Sequence, residues 1–357
     1  MRWEELRTDR PDDDELPLDL PEPDTAHRGT GRAGLAVPPA GPVIAGTEDA
    51  VAIEIEAKSL INRVPGESRV PFRWTINPYR GCTHACVYCF ARRTHTYLDL
   101  DAGHDFDAKI VVKVNAGPLL RRELARPSWH GEPIAMGTNV DCYQRVEGRY
   151  RLMREILAAL RDHANPFSLL TKGTLIGRDL DLIRQAAEVT SVSVAFSVGF
   201  LDEELWRTVE PGTPAPHRRL DLVRRFSDAG IPCSVLMAPI LPGLTDNHEE
   251  IDRTVAAIVA AGARGITPLV LHLRPGAREW YSAFLAREHP GLRNIYRRLY
   301  GRGSYAPAGY QREVAARVRR AARRHGLPEE QPGTFRLRDA DEDPPAPPNG
   351  QQLSLLA

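Results

Sequence analysis

Three of the chain's five cysteines lie in one stretch of ten residues, Gly81-Cys82-Thr83-His84-Ala85-Cys86-Val87-Tyr88-Cys89-Phe90. Their spacing is C-x3-C-x2-C, and the stretch closely follows the β-rich run 72–76. Thiols packed this densely are typical of the ligands of one metal centre. Three ligands suit a cubane iron–sulfur cluster in which one iron stays open, and an open position allows a metal site to do chemistry.

Three alternatives compete with a reactive cluster: a zinc site, a structural disulfide and a chance clustering of buried thiols. A zinc site would need a fourth ligand, which His84 or Cys142 could supply, and it would close the coordination shell. A disulfide is disfavoured because the first residues, 1–5, are charged and lack the apolar core of a secretion signal. No apolar run approaches the roughly 18 residues of a membrane span. We therefore expect a cytoplasmic protein that makes no membrane contact.

The formal net charge is zero, with 47 basic and 47 acidic residues, yet the charge is unevenly distributed. Residues 1–24 carry ten acids and three arginines, whereas residues 291–326 carry ten arginines and one acid. Composition then predicts four segments. They are a disordered acidic Pro/Gly-rich tail (1–45), an α/β domain (50–280), a basic helical extension (285–336) and an acidic, Pro-rich linker with the last residues of the chain (339–357).

Within the α/β domain, short β-rich runs alternate with segments of helical period. The runs are 72–76, 110–114, 134–137, 167–171, 192–197, 234–240 and 269–273. Such alternation predicts parallel strands joined by crossover helices. The pattern does not by itself separate an open sheet from a barrel.

Polar or glycine-containing turns follow several of these runs. Because the carboxyl ends of parallel strands meet at one edge, we expect the turns to converge on one mouth. The side chains concerned are Thr138, Asn139, Lys172, Ser197, Glu210 and Arg219.

The cysteine spacing, with Tyr88 before the last cysteine, resembles the signature of the radical S-adenosylmethionine (SAM) superfamily. The resemblance implies a partial (β/α)6 barrel in which Cys82, Cys86 and Cys89 hold a [4Fe-4S] cluster. It also implies that SAM binds the open iron, and that an electron donor such as flavodoxin or ferredoxin reduces the cluster. The expected reaction is reductive cleavage of SAM to a 5′-deoxyadenosyl radical, which abstracts hydrogen from a substrate.

Residues 77 to 273 resemble a narrower group, the spore photoproduct lyase-like proteins. The motifs are Asn77-Pro78-Tyr79-Arg80-Gly81-Cys82, Thr171-Lys172, Ser197, Glu210-Pro211-Gly212-Thr213 with Arg219, and Ala229-Gly230-Ile231-Pro232 leading to Ala238-Pro239-Ile240. The resemblance implies that Lys172 and Ser197 contact SAM and that Thr138 and Asn139 face its methionine part. A lysine can pair with the SAM carboxylate as a point charge. Glu210 can either accept ribose hydroxyls or pair with Arg219.

Two positions depart from the lyase pattern. The lyase has a hydrogen-donating cysteine where this chain has Gly137, and a tyrosine where it has Phe90. Cys142 is a candidate substitute donor, although a lone cysteine is more often a small apolar core residue. His272, at the expected end of the last strand, is a candidate contact for adenine or substrate, or a structural histidine.

Arginines and tyrosines alternate in the basic extension, as in Arg293, Tyr296, Arg297, Arg298, Tyr300, Arg302, Tyr305 and Tyr310. This mixture suits a nucleic-acid backbone with stacked bases, and it also suits a solvated helix face. With the resemblance to a lyase, it predicts a DNA lesion or other nucleic acid as substrate. The alternative function is a non-catalytic nucleic-acid-binding protein stabilised by zinc or a structural cluster.

The last residues have the pattern Gln352-Leu353-Ser354-Leu355-Leu356 after a Pro-rich linker. The pattern resembles the short peptide with which bacterial DNA polymerases and repair proteins bind the sliding clamp. Gln352 would anchor the peptide, and Leu353, Leu355 and Leu356 would fill an apolar groove. We therefore expect the sliding clamp as a partner, reached by a flexible tether.

Overall fold

The structure, a computed structural model, describes residues 50–65 and 70–327. Its centre is a seven-stranded sheet. Six adjacent strands run parallel to one another, and a short antiparallel strand lies at one edge. Along the sheet the strands are β10 (Ile266–Val270), β9 (Cys233–Ile240), β8 (Val192–Ser197), β7 (Phe167–Thr171), β6 (Ile134–Met136), β3 (Trp74–Ile76) and β2 (Ile61–Arg63). Six parallel strands in chain order confirm the expected partial (β/α)6 barrel.

Helices connect these strands in the way that parallel pairing requires. Those that follow one another within the barrel are α2 (Ala116–Leu124), α3 (Glu147–Tyr150), α4 (Leu152–Asp162), α5 (Leu180–Val189), α6 (Glu203–Val209), α7 (Pro216–Asp228) and α8 (His248–Ala260). Local sequence fixes several helix starts. Pro216 occupies the first turn of α7, and the Asn247 side chain caps α8 by accepting a hydrogen bond from the Glu250 amide at 2.8 Å.

A second, three-stranded sheet lies beside the barrel. It consists of β1 (Val51–Ile55), β5 (Lys109–Lys113) and β4 (Tyr79–Arg80), and the short helix α1 (His104–Ala108) precedes β5. The run 110–114, which looked like a barrel strand, therefore belongs to this sheet. This short apolar run, Ile110-Val111-Val112-Lys113-Val114, is equally compatible with a strand of either sheet, so periodicity did not distinguish the two sheets. The last barrel strand also begins and ends three residues earlier than the run 269–273.

The basic extension folds as helices that pack against the barrel. They are α9 (Ala277–Glu288), α10 (Arg293–Tyr300) and α11 (Ala308–Arg324). Helix α11 lies against α8 and β10, and buried residues such as Val314 and Val318 join an apolar cluster with Ile240 and Val255. The segment up to residue 327 is thus continuous with the barrel's core. The segments 1–45, 328–336 and 339–357 lie outside the described residues.

The tyrosines of the extension correct one expectation. Tyr296 and Tyr300 are buried in the core, and the Tyr310 hydroxyl donates to Asp246 at 2.5 Å. These three rings are oriented inward, because they form the apolar face of amphipathic helices. Only Tyr305 among the four is exposed, so Tyr296 and Tyr300 are not available for the stacking considered from the sequence. Nucleic-acid binding by the segment stays a prediction.

No helix among residues 50–65 and 70–327 is long and apolar enough to cross a membrane.

Candidate metal and cofactor site

The cysteine loop follows β3 and β4 and is held by polypeptide contacts on both sides. The Gln144 side chain donates to the Gly81 carbonyl and accepts from the Thr83 amide, both at 2.9 Å. On the other side, the Gly212 amide donates to the His84 carbonyl at 3.1 Å. A Cβ at position 212 would lie 1.9 Å from the Thr83 carbonyl oxygen, so only glycine allows this approach. Contacts of the polypeptide therefore hold the loop on both sides.

Cys82, Cys86 and Cys89 all line one cavity, with about 840 Å³ of empty space that is partly open to solvent. Burial raises the pKa of each thiol, to about 12 for Cys86. The thiols are therefore protonated at neutral pH without a metal, and metal binding must displace those protons. Among residues 50–65 and 70–327, no group of three His, Cys, Asp or Glu residues converges on a single ion.

The two residues considered as a fourth zinc ligand are placed differently. His84 lines the cavity, but its Nδ1 faces the Asp141 carboxylate at 3.4 Å. Cys142 is fully buried and does not line the cavity. In this structure the Cys142 thiol does not reach the cavity, so it is not placed to bind a metal there. Its role as a hydrogen donor, considered from the sequence, stays a prediction.

The predicted cofactor contacts Lys172 and Ser197 meet at the cavity wall. The Lys172 ammonium donates to the Ser197 hydroxyl at 2.7 Å, and Ser197 in turn donates to the Ala238 carbonyl at 3.0 Å. The β8–β9 register pairs Ser197 with Leu236, which brings these strand ends together. A lysine ammonium has three N–H donors, so Lys172 retains donors for an anionic ligand in the cavity.

Asp141 is a site residue to which the sequence gave no role. Its carboxylate accepts hydrogen bonds from the Thr171 hydroxyl at 2.7 Å, the Lys172 amide at 2.6 Å and the Tyr143 amide at 2.8 Å. It also faces His84. One carboxylate thereby fixes the ends of β6 and β7 against the cysteine loop. The sequence signal that could have identified Asp141 is its position in the polar turn that follows β6.

Tyr88, Glu210 and Arg219 form a buried network beneath the loop. The Tyr88 hydroxyl and the Arg219 guanidinium both donate to the Glu210 carboxylate, and Glu210 and Arg219 are each 1 % exposed. Burial by itself would raise the pKa of Glu210, but the charges of Arg219 and Lys172 lower it below its ordinary value. The carboxylate therefore pairs with Arg219, which is the second of the two roles considered for it. Arg219 also donates to the Ser197 carbonyl at 3.0 Å, linking the network to β8.

Thr138 and Asn139 also line the cavity, directly after Gly137. Gly137 has φ +76°, and a Cβ at this position would lie 1.8 Å from the Leu170 carbonyl oxygen. No side chain fits there without moving the backbone of β7. The absence of a cysteine at position 137 is therefore built into the fold of this chain.

A group of aromatic rings lies beside the cavity wall. The His272 ring contacts Phe90 and Tyr305, with centroids 5.4 and 5.5 Å apart, and Arg274 lies over Phe90 and donates to the Tyr305 hydroxyl at 3.0 Å. Tyr305 comes from the loop between α10 and α11 and is 41 % exposed. Burial and the nearby Arg274 lower the pKa of His272 to about 4, so its ring is neutral at pH 7. Its Nδ1 is buried and has no hydrogen-bond partner.

The donor set fits a [4Fe-4S] cluster with SAM. Three thiols, a lysine ammonium and a serine hydroxyl surround one space, and the unpaired His272 nitrogen lies on its wall. A cluster with three protein ligands leaves one iron for a second molecule, and the polar groups are suited to the ends of an amino-acid moiety.

Comparisons with known proteins agree with this geometry. A family model described as the Radical SAM superfamily matches residues 76–255. An uncharacterized protein of Mycobacterium tuberculosis is 52 % identical over 265 residues, which are 74 % of this chain and 78 % of that protein. An uncharacterized protein of Methanocaldococcus jannaschii is 30 % identical over 204 residues, covering 57 % and 72 %.

Among solved structures, spore photoproduct lyase complexed with dinucleoside spore photoproduct superposes with a TM-score of 0.59. The match covers 77 % of this chain and 79 % of that chain at 16 % identity, which shows a shared fold. With its cysteine loop, its six parallel strands and these matches, the chain belongs to the radical SAM superfamily.

Proposed function

We propose that this protein is a radical SAM enzyme that removes hydrogen from a nucleic-acid substrate. The observation that carries the proposal is the convergence of Cys82, Cys86, Cys89, Lys172 and Ser197 on one cavity. When bound, a [4Fe-4S] cluster supplies the electron that cleaves SAM to methionine and a 5′-deoxyadenosyl radical. The protein contributes binding, orientation and the exclusion of water.

Each residue has a role that follows from its chemistry. Cys82, Cys86 and Cys89 would hold the cluster as thiolates. Lys172 would pair with the SAM carboxylate, and Ser197 would hold the lysine in position through the bond already present. Asp141 and the Glu210–Arg219 pair do not need to touch either cofactor. They fix the loop and strand ends, so that little reorganisation is needed on binding.

The side chains near the cavity support a nucleic-acid substrate. Tyr305 offers an exposed ring next to Arg274, and an aromatic ring beside a guanidinium suits a stacked base with a nearby phosphate. The exposed arginines of α11, among them Arg312, Arg319 and Arg320, add a charged surface for a phosphate backbone. The lyase with the similar fold is described as complexed with dinucleoside spore photoproduct, which favours the same substrate class.

A sliding-clamp peptide at Gln352, Leu353, Leu355 and Leu356 would deliver the enzyme to DNA. These residues lie outside the described part of the chain, so their support comes from the sequence pattern alone. A tether raises the local concentration of the barrel at its substrate without any new contact on the barrel itself.

Cluster binding can be tested with a matched pair of cysteine variants. After anaerobic reconstitution, we expect the native protein to be brown and to hold about four irons, as a cubane requires. Cys86→Ser should lose most of this iron, whereas Cys233→Ser, which changes a buried cysteine away from the cavity, should retain it. A colourless native protein that holds one zinc ion would contradict the proposal and favour the non-catalytic alternative.

The substrate class can be tested separately with deuterated oligonucleotides. Deuterium should appear in 5′-deoxyadenosine only when the target carries the label. We expect Arg312→Glu/Arg319→Glu/Arg320→Glu to weaken oligonucleotide binding and to flatten its dependence between about 50 and 200 mM salt. If the oligonucleotide affinity of the native protein did not change with salt concentration, that result would argue against phosphate contacts.

A further inference from the structure

A second cavity reaches the cysteine loop away from the SAM-binding residues. It has about 690 Å³ of empty space, and its walls include His84, Tyr143, Arg145, Thr174 and Pro214. His84 also lines the first cavity, so this one buried side chain is shared by both. It lies between Cys82 and Cys86 in the sequence. Neither Lys172 nor Ser197 lines the second cavity.

The second cavity continues outward along a basic surface. A third cavity shares Thr174 and Pro214 with it and is lined by Arg218 and Arg225, both exposed. We call the two cavities together the arginine groove; its wall includes Arg145, Thr174, Pro214, Arg218 and Arg225, and the buried His84. Asp221 is the one acid among the lining residues and pairs with Arg224 at 3.2 Å, so the lining holds more basic than acidic side chains.

We propose that the arginine groove docks an acidic protein that carries one electron at low potential, and that the electron enters the metal centre past His84. The inference rests on the proposed function, because only a reducible centre needs such a partner. One electron leaves the reduced donor, which is oxidised, and enters the centre held by Cys82, Cys86 and Cys89, which is reduced. No atom or proton is transferred in this step.

Three features favour an electron carrier as the occupant. Electron transfer through protein weakens steeply with distance, and in this groove an exposed surface leads to the residue between two cluster cysteines. The arginines supply the charge that steers an acidic partner, and redox encounters bury little surface and rely on such steering. Leu175, which is partly exposed on this wall, adds a small apolar contact of the kind found at protein interfaces.

A nucleic acid fits the groove less well. Among the described residues that line it, the aromatic rings of Tyr143 and His84 are 1 % and 3 % exposed, so neither offers a face for a base to stack on. Stacking platforms and a charged track together are what single-stranded binding requires. The cavity wall near Tyr305 and helix α11 offer that combination instead.

The test uses flavodoxin as the probe and two charge-reversal variants of the full chain. The groove variant is Arg145→Glu/Arg218→Glu/Arg225→Glu, and the matched control is Arg312→Glu/Arg319→Glu/Arg320→Glu on α11. Binding of oxidised flavodoxin at about 50 mM salt is measured directly, without turnover. We expect the groove variant to bind at least tenfold more weakly and the control to remain within twofold of the native protein. The single variant Arg218→Glu, at an exposed position, should show part of the loss if the triple variant folds poorly.

Turnover gives the second readout. With reduced flavodoxin, the groove variant should form 5′-deoxyadenosine at least tenfold more slowly, whereas with dithionite, a small reductant that needs no docking, its rate should stay within twofold. Unchanged flavodoxin binding by the groove variant would overturn the proposal. The proposal would also be overturned if the groove variant lost oligonucleotide binding and kept flavodoxin binding. If dithionite yields no 5′-deoxyadenosine even in the native protein, the proposed function fails, and the binding result still decides the docking site.

Discussion

At the scale of single residues, the site depends on a few side chains whose positions are fixed by short polar contacts. Lys172 is held by its amide on Asp141 and by its ammonium on Ser197, so its charge is presented to the cavity in one orientation. A change at Lys172 can therefore test SAM binding without changing the cysteines that would hold the metal.

We expect Lys172→Met to weaken SAM binding about 10- to 100-fold, because a charge-assisted hydrogen bond contributes roughly 1.5–3 kcal/mol. Iron content should not change. Isothermal titration of the reconstituted protein measures the affinity, and Lys58→Met, at an exposed lysine, serves as the control. Equal SAM affinities of the two variants would show that Lys172 does not bind the cofactor.

Two glycines with similar backbone angles separate conformational strain from steric exclusion. Gly131 has φ +73° with open space around it, whereas a Cβ at Gly137 meets the Leu170 carbonyl oxygen. Gly131→Ala should cost about 1–2 kcal/mol from backbone strain alone. Gly137→Ala should cost clearly more, as measured by urea unfolding, and Gly137→Cys should not create a working hydrogen donor. Equal costs for the two alanine variants would contradict this view of position 137.

At the scale of elements, the segment between α6 and α7 holds the cysteine loop. Its Gly212 packs on the backbone of the loop, and its Glu210 accepts from Tyr88 within the loop and from Arg219 of α7. The Glu210–Arg219 ion pair is buried, so each charge is stabilised mainly by its partner and not by water.

We expect Arg219→Met to destabilise the protein by about 3–5 kcal/mol, because it leaves the Glu210 carboxylate buried without its partner. The double variant Glu210→Gln/Arg219→Met should lose less, since neither charge remains. Thermal or urea unfolding of the two proteins makes the comparison. A double variant less stable than Arg219→Met would show that the pair is not coupled in this way.

Much of the arrangement was accessible from sequence at this scale. The alternation of strands and helices predicted the parallel sheet, and the polar turns predicted that Thr138, Asn139, Lys172 and Ser197 would share one mouth. The small sheet containing β5 was not predicted, because a short apolar run has the same pattern in either sheet. The inward orientation of Tyr296 and Tyr300 was missed because arginines flank them, and only tertiary packing shows which helix face is buried.

At the scale of the whole molecule, the C-terminal helices complete the barrel's core and also bring Tyr305 to the side of the cavity. Because these helices belong to the core, they hold Tyr305 in a fixed position beside the cavity. The arginines of α11 and those of the arginine groove form two charged surfaces. We propose that the first binds nucleic acid and the second binds the electron donor.

The tail makes a prediction that is independent of the barrel. A peptide of residues 346–357 should bind the bacterial sliding clamp. Replacing Gln352 and Leu355 with alanine should abolish binding, since by our proposal these side chains would supply the anchor and an apolar contact. The same changes in the full chain should leave SAM cleavage intact. Clamp binding that survives both alanines would contradict the assignment.

The central claim is that the cysteine loop and the cavity beside it perform reductive cleavage of SAM. The most direct measurement is the formation of 5′-deoxyadenosine by the reconstituted protein with dithionite and SAM under anaerobic conditions. We expect product from the native protein, at least a hundredfold less from Cys86→Ser, and native levels from Cys233→Ser. A protein that binds about four irons yet forms no 5′-deoxyadenosine, with or without oligonucleotide substrates, would contradict the account.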